Sequence, residues 1–230
     1  MARILLIETS TAQLSAALAE DGVVTASRIS DEPRMQAALT APFVQEILDE
    51  KGLKVKDLDA VCVGRGPGSY TGLRVGVSTA KGLCFGAGLP LLAAGTLDTL
   101  VAEAHRLGLV PEGCRHIVPM VDARRMEVYA AVFTPDGKQL TETKPVVVDA
   151  DSFADILAEG PVLFIGDGAL KCREAIASAN AHLAAAFPTA MAMAPLAEAA
   201  YHEKRFEDVA YFEPFYLKDF VATVSRKKLF

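Results

Sequence analysis

Basic clusters, paired cysteines and long apolar runs are all scarce in this 230-residue chain, and each shortage removes a class of function. Lys and Arg number 23 against 29 Asp and Glu, a net charge of −6. A domain that grips a phosphate backbone unaided needs clustered Lys and Arg. The only basic run, Arg226-Lys227-Lys228, reads as a solvated end. Cys62, Cys84, Cys114 and Cys172 stand far apart with no CxxC pair. That spacing fits neither a zinc site nor a disulfide framework, and three of them read as inert core residues. No apolar segment approaches the ~18 residues of a membrane span. The amino-terminal run to Ile7 turns polar at Glu8, too early for the ~7–15-residue core of a secretory signal. These shortages lead us to expect a cytoplasmic protein with reduced thiols and no membrane contact.

What is present is a sizeable core: 51% of residues are apolar, enough for one large domain or two small ones. Arg3 to Glu8 reads as a strand and Thr9 to Ala12 as a turn. Leu14 to Ala19 and Val23 to Ile29 read as strands joined by the hairpin pair Asp21-Gly22. A helix from Met35 to Lys51 ends at Gly52 and carries Pro42 inside it. Then come a strand at Ala60 to Val63, a helix at Thr71 to Phe85, a strand at Pro90 to Ala94 and a helix at Leu97 to Leu107. The pattern then restarts. Strands are predicted at His116 to Val121, Glu127 to Phe133 and Gln139 to Val148, with turns at 122–125 and 135–137. A helix at Ser152 to Ala158, a strand at Val162 to Ile165 and helices at Leu170 to Ser178 and Leu196 to Lys204 follow. Both halves share the order of three strands, helix, strand, helix. That order resembles two ribonuclease-H-like units in tandem, the actin-like (ASKHA) α/β plan, with lobes at 1–110 and 111–230.

The densest motif is GRGPGSYTGLRVG, Gly64 to Gly76. It has neither the Lys-Ser/Thr of a P-loop nor the third glycine of a dinucleotide fingerprint. Ser69 or Thr71 can cap the helix that follows. Gly68, Ser69 and Thr71 are therefore candidates for a weak anion or nucleotide contact at the helix start. Inside the helix, Gly72, Gly76 and Ala80 fall four apart, as do Ser78, Gly82 and Gly86. An interior glycine costs ~1 kcal/mol against alanine, so the rows need a reason. Small residues at this spacing admit a closely packed neighbour, from the same chain or from a second subunit.

Gly66-Pro-Gly-Ser-Tyr-Thr-Gly-Leu-Arg74 with Ala80-Lys-Gly-Leu83 resembles the signature of the TsaB (YeaZ) family. Ile7-Glu-Thr-Ser-Thr11 and Val121-Asp-Ala-Arg-Arg-Met-Glu-Val-Tyr129 match its other landmarks in order and spacing. Glu8, Tyr70 and Met126 depart from the residues usual there: Asp, Phe and Gly. The resemblance implies a part in forming threonylcarbamoyladenosine (t6A) at position 37 of tRNAs reading codons that start with A. It implies a non-catalytic subunit that pairs with the catalytic TsaD, is joined by the ATPase TsaE, forms a homodimer without them, and meets tRNA only through the complex. It implies no cofactor of its own, with ATP or ADP at the junction with the partner as an option. The pairing surface is expected on helices 35–51 and 71–86, with Leu39, Phe43, Ile47, Gly72, Gly76 and Leu83 as contributors.

Two catalytic readings compete with this one. The catalytic relatives hold a metal through HxxxH on the first long helix; here that helix reads Met35-Gln-Ala-Ala-Leu39, and the four histidines include no i, i+4 pair. An ATPase or small-molecule kinase of the same fold needs phosphate-binding hairpins. The turns at 8–11 and 122–125 carry no glycine, so backbone amides approach phosphate less easily. Glu8 and Asp122 are left as cation ligands or, alternatively, as caps of their own turns or partners of Arg124 or Arg125.

Overall fold

The computed structural model describes residues 2–218; the basic run 226–228 lies outside them. The chain opens with an antiparallel meander of β1 (Arg3–Glu8), β2 (Leu14–Glu20) and β3 (Val23–Ser30). Asp21 and Gly22 both take left-handed backbone (φ 48° and 74°), the conformation a two-residue hairpin demands. Helix α1 (Gln36–Lys51) keeps Pro42 inside it and ends at a left-handed Gly52. Strand β4 (Ala60–Gly66) lies parallel to β1. It is followed by α2 (Tyr70–Ala87) and β5 (Leu91–Gly95), giving a sheet in the order β3-β2-β1-β4-β5. After α3 (Thr96–Arg106) the plan repeats. Strands β6 (His116–Asp122), β7 (Glu127–Ala130) and β8 (Lys144–Val147) precede α4 (Ala154–Ala158), β9 (Val162–Ile165) and β10 (Ala181–Ala184). The second sheet runs β10-β9-β6-β7-β8, the same arrangement strand for strand. Helix α5 (Ala194–His202) follows.

Alternate residues of each central strand serve opposite faces. Leu5, Ile7, Val61 and Val63 pack under Val44 and Ile47 of α1 and Val77 and Ala80 of α2. Ile4, Leu6, Cys62 and Leu92 face the other way, onto Ala194, Ala197 and Ala200 of α5. In the second sheet, Val118 and Phe164 pack with Leu157 of α4, while Ile117 and Ile165 pack with Leu97, Leu100, Val101 and Ala104 of α3. Helix α3 therefore covers the second sheet, and α5 returns to cover the first. A boundary at 110/111 parts the two sheets but cuts through both cores.

Three predicted elements are corrected. The strand expected over 127–133 ends at Ala130, with Phe133 held by isolated bridges to Ile117 and Gln139. The strand expected over 139–148 shrinks to Lys144–Val147: ahead of it the ladder is irregular, with Leu140 N (2.8 Å) and Thr141 N (3.4 Å) both donating to Val132 O. The helix expected over 170–178 is a single 3-10 turn, Leu170–Cys172. Strand β10 was not foreseen: its Ala-His-Leu-Ala has little strand character.

Candidate functional site

The glycine motif and the turn after β1 prove to be two halves of one contact. A Cβ on Gly64 would lie 2.3 Å from Glu8 Oε2, on Gly68 2.2 Å from Ser10 O, on Gly72 2.1 Å from Thr9 O, and on Gly76 2.3 Å from Thr9 Oγ1. No side chain fits at those distances, so the row of glycines lets turn 8–11 lie flush against the β4–α2 junction. Hydrogen bonds fix it there. Ser69 N donates to Ser10 O (2.6 Å), Thr9 Oγ1 donates to Gly72 O (2.8 Å), and Gln36 Nε2 of α1 donates to Thr11 O (2.9 Å). Ser69 is the helix cap, accepting from Gly72 N at 3.3 Å.

Three of the six residues expected on the subunit surface, Gly72, Gly76 and Ile47, are buried within the chain itself. Gly72 and Gly76 do admit a close neighbour, but the neighbour is Thr9 of the same chain. Ile47 is fully buried in the first-lobe core, and Phe43 and Leu83 are half-buried against it; Leu39 is half-buried on α1. The other row faces outward. Thr71, Arg74, Ser78, Gly82, Phe85 and Gly86 are exposed, and a Cβ on Gly82 or Gly86 would meet nothing within 4 Å. Phe85 stands 86% exposed on this row. Ser78, Gly82 and Phe85 are spaced i, i+4, i+7, one helical stripe that the sequence already displays.

Between the lobes lies a cleft of about 1030 Å³. Gly68, Ser69 and Thr71 line it, as do Arg34, Asp122, Arg124, Arg125 and Asp167. Glu8 does not. Its carboxyl is fully buried, Oε1 accepts from Ser10 N (2.6 Å), Oε2 has no hydrogen-bond partner, and burial pushes its pKa up. A buried group that prefers to be neutral is a poor cation ligand. Asp122 accepts from Arg124 N (2.7 Å) and pairs with Lys171, so it caps its turn as the second expectation had it. Asp167 Oδ1 accepts from Asp122 N (2.9 Å); burial, with the Asp122 charge adding, raises its pKa. Met126 is 40% exposed and leaves the β6–β7 hairpin intact, while Arg124 and Arg125 take the left-handed backbone there (φ 72° and 53°). Among the described residues, no group of three or more His, Cys, Asp or Glu is placed to hold a metal ion, and no helix is long and apolar enough to cross a membrane. Cys62, Cys84 and Cys172 are buried; burial drives the Cys84 thiol up to about 11.

The third wall of the cleft is the carboxy-terminal segment, with Phe215, Tyr216, Leu217 and Lys218 lining it. Nothing in the sequence marked these residues.

A family model described as TsaD: tRNA N6-adenosine threonylcarbamoyltransferase matches residues 34–225. The chain is 34% identical over 168 residues to the TsaB protein of Bacillus subtilis, a match covering 71% of this chain and 70% of that one. The chain belongs to the TsaB (YeaZ) family. It also falls within the wider group that the TsaD model describes. The TsaB protein of Escherichia coli K12 is 40% identical over 134 residues, 58% of this chain, and the match spans 56% of the E. coli protein's length. YeaZ from Pseudomonas aeruginosa superposes with a TM-score of 0.80 at 28% identity, covering 94% of this chain and 100% of that one. A second P. aeruginosa crystal structure, of a protein similar to peptidase YEAZ, gives 0.83 at 27% identity, covering 95% and 100%. The two-lobed actin-like α/β fold expected from element order is the fold of this family.

Proposed function

We propose that the chain is a non-catalytic subunit in threonylcarbamoyladenosine formation at position 37 of tRNAs reading ANN codons, and that it acts by pairing with a TsaD-type catalytic subunit. The observation that carries this reading is the outward face of α2. A bare helical row of Ser78, Gly82 and Gly86, with Phe85 standing 86% exposed, is a surface shaped for another helix and left uncovered in the monomer. The groove beside it, lined by Ala37, Tyr70, Thr71, Arg74, Val75, Ser78 and Thr79, extends the surface to α1. The curated relatives named as TsaB biosynthesis proteins give the pathway. Pairing promotes the reaction by binding the competent shape of the catalytic subunit better than its other shapes. A TsaE-type ATPase joins the pair, a homodimer through the same face competes with it, and tRNA is engaged by the complex.

The test is co-purification with TsaD from the same cell, followed by threonylcarbamoyl transfer assayed with and without this chain. Association and a transfer rate that depends on the chain support the proposal. A TsaD equally active alone, with no association, overturns it. The cleft favours one rival, an ATPase or small-molecule kinase, and nucleotide turnover by the purified chain alone would establish that instead.

A further inference from the structure

The carboxy-terminal segment is tied to the first lobe along its length and then crosses to the second. Glu207 N donates to Leu91 O (2.8 Å) at the edge of the first sheet. Lys81 Nζ of α2 donates to Ala210 O (3.1 Å) and Phe212 O (3.0 Å), while Val209 and Phe212 pack on the core under α2. Phe215 N donates to Arg65 O (2.7 Å), and the ring of Tyr216 lies 4.9 Å from that of Tyr70 at the start of α2. Two residues on, Lys218 pairs with Glu127 of β7 and sits 5.8 Å from the Tyr129 ring. The same four residues, 215–218, wall the interlobe cleft.

We infer that residues 207–218 form a latch between the lobes, fixed on the first and closed on the second by Lys218 against Glu127 and Tyr129. The two ends differ in kind. The anchors are backbone hydrogen bonds and core side chains. The closing contact is an ion pair with both partners part-exposed, a contact weakened by salt and water. A contact of that kind opens and closes without disturbing the anchors, so the latch sets the width of the cleft with no ligand in it. Tyr70 lies under Tyr216 and also lines the groove on the outer face of α1 and α2. If that face pairs as proposed above, pairing and latch closure are linked through Tyr70, each biasing the other by the same factor. The linkage rests on the pairing reading; the latch does not.

The experiment uses the full chain alone. Spin labels at Lys51→Cys on α1 and Glu142→Cys in the second lobe, in a Cys114→Ser background, report the interlobe distance distribution. The expected result is a longer and broader distribution in Lys218→Glu, recovery of the wild-type distribution in Lys218→Glu with Glu127→Lys, and the same broadening of the unmutated chain in about 1 M salt. Amide exchange in the first turn of α2 should rise in Tyr216→Ala. An unchanged distribution on charge reversal and in high salt overturns the latch, as does a charge swap that fails to restore it. No part of the readout depends on TsaD, so loss of pairing and loss of the latch are scored separately.

Discussion

Gly72 and Gly82 are the same residue on the same helix, ten positions apart, and the structure gives them opposite roles. A Cβ on Gly72 would sit 2.1 Å from the Thr9 carbonyl oxygen, a backbone atom that cannot swing aside. Gly72→Ala is expected to destabilise the chain by ~1–3 kcal/mol, the usual cost of overpacking. Gly82→Ala meets nothing within 4 Å and should stabilise it by ~1 kcal/mol, the helix-propensity difference. Urea unfolding of both variants checks the pair, and equal effects would contradict the assignment of faces. Glu8 makes a second residue-scale prediction. Burial raises its pKa, so the folded state keeps a proton at pH values where the unfolded chain has lost it. Stability therefore falls as pH rises above the ordinary carboxylate range, until the folded group itself ionises. Glu8→Gln keeps the acceptor for Ser10 N and removes the titration. Its melting temperature relative to wild type should become more favourable as pH rises above the ordinary carboxylate range. A pH-independent difference would show that Glu8 is ionised in the folded chain.

At the scale of the element, α2 has one face packed on its own chain and one left exposed. Gly82→Leu and Phe85→Asp alter only the outer row, so both should leave the melting temperature of the monomer close to wild type while weakening association at least tenfold, measured by analytical ultracentrifugation with TsaD. Gly76→Leu is expected to behave differently, disturbing the monomer through Thr9. The sequence showed both small-residue rows on this helix but not which row looks inward. That depends on the turn at 8–11, more than 50 residues away, and helical periodicity carries no information about so distant a partner. The strongly apolar parallel strands, the Asp21-Gly22 hairpin and the Ser69 and Gly52 caps were legible because each is a local rule. The edges of the second sheet were not. Lys144–Val147 is mostly exposed and Ala181–Ala184 is alanine-rich, so neither displays the alternation that marks a strand. The cleft wall at 215–218 was invisible for the same reason: its place is set by contacts with Arg65, Tyr70 and Glu127, all distant in sequence.

For the whole molecule, the decisive feature is the exchange of helices between lobes. Leu97, Leu100, Val101 and Ala104 of α3 complete the second core, and Ala194, Ala197 and Ala200 of α5 complete the first. Glu103 of α3, itself buried, accepts from Thr189 Oγ1 at 2.8 Å and pairs with Arg106, tying the exchange together. Each half holds one cluster of its own, under α1 and α2 in the first and around Phe164 in the second, and shares its other cluster with the opposite half. A fragment of residues 1–110 should therefore be markedly less stable to urea than the full chain, which should melt in one transition seen alike by far-ultraviolet circular dichroism and tyrosine fluorescence. A 1–110 fragment as stable as the full chain would contradict the exchange. The same arrangement bears on biosynthesis. The side of the first sheet bearing Ile4, Leu6 and Leu92 has its cover on α5, about a hundred residues further along the chain, so it stays bare until that segment is made. A nascent chain that has not yet made α5 therefore presents an apolar face to solvent, and exposed apolar surface of that kind favours aggregation.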